Sequence, residues 1–188
     1  MMVAAAILAC TLVLTPGLDS PTPSVPVDPI GSRVRAIDPR AREWIRVGTT
    51  ESPTFRALLG RLAGSDLILY IEIVNRNIGG FAGRLYFVTA TASVRYVRIE
   101  LVPDSNVRDM VALLGHELQH AVEIADARQV RDRQALALLY LGMGENTLNR
   151  SQYDSVAARV TEERVRSELA GYRAGPPAHP GAETHARH

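Results

Sequence analysis

The residues best suited to chemistry form a His-Glu-x-x-His motif made of His116, Glu117 and His120. Histidines four positions apart lie on one face of a helix, because four steps of about 100° return to within about 40° of the start. Both imidazoles can then reach one metal ion, and catalytic zinc sites combine such ligands with an open position for water. Glu117 stands where this motif carries the general base that acts on that water. The motif therefore predicts a catalytic Zn²⁺ site.

A long helix is expected to present this motif. Its apolar residues follow the helical period from the cap residues at 104–106 to about Ala127. Gly115 stands directly before His116, where a small residue allows another part of the chain to approach closely. The alternative interpretation is an ordinary helix whose two histidines are exposed or satisfied within the core and whose glutamate is solvated.

The elements before the motif predict a small sheet preceded by helices. Asp38-Pro39 and Ser52-Pro53 each combine a cap residue with proline at the first helical position. Three β-rich runs follow at 67–74, 84–89 and 94–102, and two or three of them are expected to form an antiparallel meander. The third run alternates apolar with charged residues, which predicts one buried face and one wet face.

Two more helices are predicted after the motif. One begins at Asp132 and runs through Leu141, and the last begins at Ser151 to Asp154. The predicted fold class is α+β, with a small antiparallel or mixed sheet packed on the active-site helix and further helices on both sides of it in the sequence.

Length and composition indicate one globular domain, predicted at 32–172. The chain has 188 residues, of which 46% are hydrophobic and 22% are charged, as is usual for a globular protein. A net charge of +1 and an aromatic content of 5% give no electrostatic or stacking basis for binding nucleic acid.

Both ends of the chain are predicted to lie outside this domain. Residues 1–18 are interpreted as a signal peptide, since they begin with an apolar run too short to span a bilayer. Residues 19–31 form a proline-rich linker, and 173–188 a disordered tail. The protein is expected to be exported to the periplasm, cell envelope or medium, with membrane contact only through the N-terminal segment. Cys10 is the single cysteine, and its lipidation stays open.

The motif and the order of elements together resemble the zincin metallopeptidases, especially gluzincin-like members and small exported bacterial proteins of this kind. The stretch that carries the resemblance is Gly-His-Glu-Leu-Gln-His-Ala-Val-Glu-Ile-Ala, at 115–125. The resemblance implies a sheet packed on the active-site helix, zinc bound by His116 and His120, and Glu117 as base.

A catalytic zinc site also needs a third protein ligand. Asp126 occupies the position of the third metzincin ligand, but Glu123 stands where those proteins need glycine to turn the chain. Glu123 itself lies two helical turns from His116, about 10 Å along the axis, so a supporting role suits it better. Asp154 loosely resembles the gluzincin arrangement, in which a later helix supplies a Glu or, less often, an Asp, and it is the preferred candidate. The acids that also stay open are Glu145, Glu162 and Glu163.

These residues predict an exported zinc metallopeptidase that acts on a peptide or protein substrate. In this hypothesis, metal-activated water attacks the peptide carbonyl while Glu117 serves as general base. The alternative is a catalytically inactive zincin-like envelope protein that binds a peptide or protein partner.

Overall fold

The computed structural model describes residues 33–142 and 154–172, which form an α+β fold. Its strands are β1 (Val34–Ala36), β2 (Leu67–Ile73), β3 (Gly83–Ala90) and β4 (Arg95–Leu101). Its helices are α1 (Pro39–Glu51), α2 (Pro53–Ala63), α3 (Val107–Asp126), α4 (Arg133–Gly142) and α5 (Val156–Gly171). The predicted α+β class is confirmed, while the predicted signal peptide, linker and tail lie outside the described residues.

The sheet is mixed, with strand order β1-β2-β4-β3. β2 pairs with β4 in parallel, and β3 pairs with β4 in antiparallel orientation. The prediction of an antiparallel meander was therefore wrong for β2, because β2 and β3 are consecutive in the chain but not neighbours in the sheet. β4 lies between them, which leaves β3 at an edge of the described sheet.

The helix starts follow the predicted cap chemistry, with one correction. Asp38, Ser52 and Asn106 each accept a hydrogen bond from a backbone N–H in the first turn of α1, α2 and α3, respectively. The last helix begins later than predicted, because the Ser155 hydroxyl accepts from the Ala158 N–H and α5 starts at Val156. Asp154 therefore precedes the cap of α5.

The motif helix α3 packs against both the sheet and α5. Leu114, Leu118 and Val122 are buried in a core that also includes the buried face of β2 and β4. A Cβ added at Gly115 would lie 3.1 Å from Cγ2 of Val165 in α5. The small residue beside His116 therefore allows α5 to approach the motif closely. None of the helices in 33–142 and 154–172 combines the length and apolar character that a bilayer span needs.

Two charged residues of β4 are buried, so the expected division into an apolar and a wet face is incomplete. Glu100 is only 3% exposed, although it lies on the face that was expected to be wet. Arg95 lies on the opposite face and is fully buried. Its guanidinium donates to both carboxylate oxygens of Asp66, at 2.9 and 2.6 Å.

The remaining N–H groups of Arg95 bind the end of α3. They donate to four carbonyl oxygens at distances of 2.7–3.1 Å, those of Ile124, Ala125, Ala127 and Val130. The last carbonyls of a helix have no partner within the helix and carry its partial negative charge. Arg95 therefore fixes the C-terminal end of the motif helix to the start of β4.

We expect Arg95→Met to lower the free energy of unfolding by about 3–5 kcal/mol, because it leaves buried carbonyl groups and the Asp66 carboxylate without their donor. Urea denaturation followed by circular dichroism measures this change.

The matched control is Arg61→Met, at the ion pair between α2 and α3. The Arg61 side chain is 52% exposed and donates to Asp126 at 2.6 Å. Its loss is expected to cost at most about 1 kcal/mol, as is usual for exposed ion pairs. Equal losses in the two variants would contradict the anchoring role of Arg95.

Candidate metal centre

The two motif histidines face each other through their Nε2 atoms. The Nε2 atoms of His116 and His120 lie 3.2 Å apart, with the imidazole planes inclined at 76°. His120 is buried, and His116 retains 14% side-chain exposure. The predicted i, i+4 arrangement on one helix face is thus present in α3.

The other ring nitrogen of His120 contacts an acid and a phenol. Nδ1 lies 2.9 Å from Oε2 of Glu123 and 3.0 Å from the Tyr140 hydroxyl. A carboxylate accepts hydrogen bonds, so this contact favours the proton on Nδ1 and leaves the lone pair on Nε2. Burial raises the pKa of Tyr140, which keeps its hydroxyl protonated.

His116 has an equivalent acidic neighbour from α5. Its Nδ1 lies 3.1 Å from Oε2 of Glu162, which is an ion-pair distance although the direction does not give a regular hydrogen bond. Burial opposes protonation of His116, but Glu162, Glu117 and Asp154 outweigh that effect and raise its pKa. The contact with His116, assisted by Arg166, lowers the pKa of Glu162 to about 2.

When both histidines are neutral, their two Nε2 atoms present lone pairs to the same point. Each neighbouring carboxylate favours a proton on Nδ1, so the facing nitrogens of neutral His116 and His120 are both acceptors. Two acceptors 3.2 Å apart repel one another unless a cation or a shared proton lies between them. Tetrahedral zinc with bonds of about 2.0–2.1 Å holds its ligand atoms about 3.3 Å apart, which agrees with this separation.

Asp154 supplies the third donor of this group. Its Oδ1 lies 3.5 Å from Nε2 of His116, and one ligand atom from each of His116, His120 and Asp154 falls within 4.8 Å of the other two. Oδ1 is buried and has no hydrogen-bond partner, whereas Oδ2 accepts from Arg159 at 2.9 Å. An unpaired buried carboxylate oxygen is costly, and coordination of a cation would satisfy it. The donor set therefore fits zinc.

The other candidate acids have different surroundings. Asp126 binds Arg61, and α3 continues without a break to that residue. Glu123 and Glu162 lie behind the histidines at their Nδ1 atoms, and Glu163 is exposed on α5. Glu145 lies outside the described residues. Among the acids described, Asp154 is the one that the structure groups with both histidines on the Nε2 side.

Glu117 faces a cleft along β3. The cleft has a volume of about 1160 Å³, and its walls include the motif residues, Tyr140 and Asp154. Glu117 is 4% exposed, and burial raises its pKa above the ordinary value for a glutamate. A Cβ added at Gly83 would lie 2.8 Å from Oε1 of Glu117, so the edge strand passes directly over this carboxylate.

Ser155 connects the residues that α3 contributes to the site with the start of α5. Its hydroxyl donates to Oε1 of Glu123 at 2.5 Å while it accepts from the Ala158 N–H at 3.0 Å. Glu123 contacts His120, and Ser155 is the immediate neighbour of Asp154. A single hydroxyl thus links the orientation of one histidine to the start of α5 and to the third donor.

Sequence reasoning did not identify Tyr140, Ser155 or Gly83 as site residues. Tyr140 stands one helical turn after the buried Leu136, and a phenol at such a position signals a buried hydroxyl that needs a partner. Ser155 and Gly83 carry no local signal, because their roles depend on contacts with α3.

Comparisons with protein-family models, with curated proteins and with solved structures give no match to this chain.

We expect Asp154→Ala to lower zinc affinity by more than the factor of about 10–100 that is typical for loss of a residue that only orients a ligand. Glu162→Gln is expected to stay within that factor, because Glu162 lies at Nδ1 of His116. Competition titration with a zinc-selective chelator measures both constants. Glu163→Gln, one position along on the exposed side of α5, is the control and should bind zinc like the wild type. A larger loss in Glu162→Gln than in Asp154→Ala would make Glu162 the ligand.

We expect Ser155→Asp to weaken zinc binding by about 10- to 100-fold, although aspartate is a good helix cap. A carboxylate cannot donate to Glu123, and it places a like charge beside it. Ser155→Thr retains the donor and should bind zinc as the wild type does. Zinc titration together with far-ultraviolet circular dichroism separates the two functions of the hydroxyl. Unchanged affinity in Ser155→Asp would show that the link to Glu123 is dispensable.

Proposed function

We propose that this protein is a zinc-dependent peptidase. The observation that carries the proposal is that three possible metal-ligand atoms converge beside a buried glutamate. These atoms are Nε2 of His116, Nε2 of His120 and Oδ1 of Asp154. These groups lie at an open cleft that runs along an edge strand. The apolar run from Met1 to Leu14 supports an exported location.

Each residue of the site has a distinct task in this reaction. His116, His120 and Asp154 hold the metal, while Glu123 and Glu162 keep the imidazoles in the tautomer that leaves Nε2 free. Zinc held by these residues would supply Lewis acidity, which would make an attacking water more acidic and would polarise a carbonyl group. Glu117 accepts a proton from the attacking water and delivers it to the leaving nitrogen of the peptide.

The substrate is an extended peptide that lies against β3. An edge strand offers unpaired N–H and C=O groups, to which a peptide can add as a further strand. β3 lies at an edge of the described sheet, and its first residue, Gly83, passes over Glu117. A peptide paired with β3 therefore brings its backbone carbonyl groups close to the proposed metal and base.

We expect Glu117→Gln to retain one zinc ion per chain and to lose at least about 100-fold in turnover, since a general base contributes typically 10²–10⁴-fold. His116→Ala and His120→Ala should lose the metal and the activity together, because these residues bind the ion directly. Elemental analysis of the purified proteins gives the zinc content, and hydrolysis of a fluorogenic peptide library gives the turnover.

The terminal histidines require a control, since His179, His185 and His188 can bind metal independently. All variants are therefore measured with these three residues replaced by glutamine. If the wild-type site then holds no stoichiometric zinc, the peptidase proposal is wrong and a partner-binding protein becomes the better explanation. Equal zinc loss in Glu117→Gln and the histidine variants would contradict the separate tasks of base and ligands.

A further inference from the structure

Away from the proposed metal centre, the cleft carries more positive than negative charge among the described residues. Three guanidinium groups line it, those of Arg76, Arg84 and Arg133, together with the single carboxylate of Glu100 outside the proposed metal centre. The whole chain has a net charge of only +1, so this excess is local. Low-dielectric cleft walls strengthen the field of such a cluster and attract ligands of the opposite charge.

Two of these arginines share one carboxylate. Arg84 donates through Nε and Nη2 to Oε2 of Glu100, at 2.9 and 2.7 Å, and Arg76 donates through Nη2 to Oε1 at 2.7 Å. Glu100 is 3% exposed, whereas the side chains of Arg76 and Arg84 are 57% and 41% exposed. The carboxylate is therefore enclosed, while each guanidinium keeps N–H groups directed toward solvent.

Arg133 adds a third guanidinium close to the edge strand. Its Nε donates to the carbonyl oxygen of Phe87 in β3 at 3.4 Å. Within the described residues Arg133 forms no ion pair. No described carboxylate thus lies within ion-pair distance of this guanidinium, which contacts β3 near the middle of the strand.

The alternation of side chains along β3 places the positive charges of Arg84 and Arg76 beside a bound peptide. Gly83 faces Glu117, and the next residue, Arg84, points to the opposite face, where it pairs across the sheet with Glu100. A peptide added to the edge alternates in the same way. When one of its residues faces the proposed metal, the adjacent side chain projects beside Arg84 and within reach of Arg76. Opposite charges in such cross-strand positions stabilise the pairing.

We propose that the cleft selects peptides with a carboxylate next to the residue that faces the metal centre. The carboxylate can belong to an aspartate or glutamate side chain or to the C-terminus of the peptide, since both present the same charge and the same two acceptor oxygens to a guanidinium. The inference rests on the proposed peptidase function, because it takes the peptide position from that function.

Binding to the zinc-loaded, full-length Glu117→Gln variant tests this selection without turnover. The probes are fluorescein-labelled peptides that differ only in Glu against Gln at one internal position, and a second pair that differs only in a free or amidated C-terminus. In at least one of these two peptide pairs, we expect the peptide with the additional carboxylate to bind about five-fold more tightly than its neutral counterpart. This factor corresponds to about 1 kcal/mol, as for one contact between opposite charges. Preference within the first pair identifies a side-chain carboxylate, and preference within the second identifies the C-terminus.

Arg76→Gln and Arg133→Gln test the residues responsible. Neither substitution removes the bonds from Arg84 to Glu100, so the fold should persist. Arg76→Gln is expected to reduce the preference for the acidic peptide at least two-fold. Arg133→Gln should reduce it less, because Arg133 contacts β3 at Phe87 and not beside Arg84. Arg46→Gln is the matched control, since Arg46 pairs with Glu43 on α1 and does not line the cleft. It should leave the preference unchanged.

Equal binding of the acidic and neutral peptides, or no binding of either, would overturn the proposal. An unchanged preference in Arg76→Gln would overturn the assignment to Arg76, and a larger loss in Arg133→Gln than in Arg76→Gln would overturn the placement of the carboxylate beside Arg84. Turnover by the wild type is measured separately with the same peptides. Cleavage without preference rejects the selectivity alone, whereas acidic preference without cleavage rejects the peptidase function alone.

Discussion

The buried guanidinium of Arg95 is the interaction on which the position of the motif helix depends. Removing a charged group from water costs several kcal/mol unless each donor finds a partner. Here both oxygens of Asp66 and four carbonyl groups around the end of α3 supply those partners. The same contacts join the beginning of β4 to the last turn of α3. The helix is thus held at a fixed position along the sheet, which sets where its two histidines lie relative to the edge strand.

The candidate metal centre is divided between α3 and the start of α5, and its supporting contacts are divided in the same way. Glu162 reaches His116 from α5, and Ser155 at the cap of α5 reaches Glu123 beside His120. Close packing at Gly115 and Val165 allows the two helices to approach. Because a bound ion would join residues from both helices, metal binding is expected to stabilise their packing as well as to supply the chemistry.

The edge strand β3 separates two electrostatic environments within one cleft. Its inner face meets the buried Glu117, and its outer face carries Arg84, which together with Arg76 from the preceding loop encloses Glu100. A peptide strand on this edge would expose alternate residues to each environment. The proposed reaction at one face and the proposed selection at the other are therefore compatible within the four-stranded sheet of the described residues.

Sequence alone determined the features that depend on neighbouring residues: the caps at Asp38, Ser52 and Asn106, the continuous motif helix, and the shared face of His116 and His120. These follow from helical geometry and local hydrogen bonding, which do not require knowledge of the rest of the chain. It also preferred Asp154 as the third ligand, but it left other acids open, among them Glu162, which lies on the same last helix that Asp154 precedes. Only the tertiary structure placed Oδ1 of Asp154 by the Nε2 atoms and Glu162 behind His116. The parallel pairing of β2 with β4 and the burial of Arg95 were likewise beyond the sequence, because both arise from contacts between residues distant in the chain.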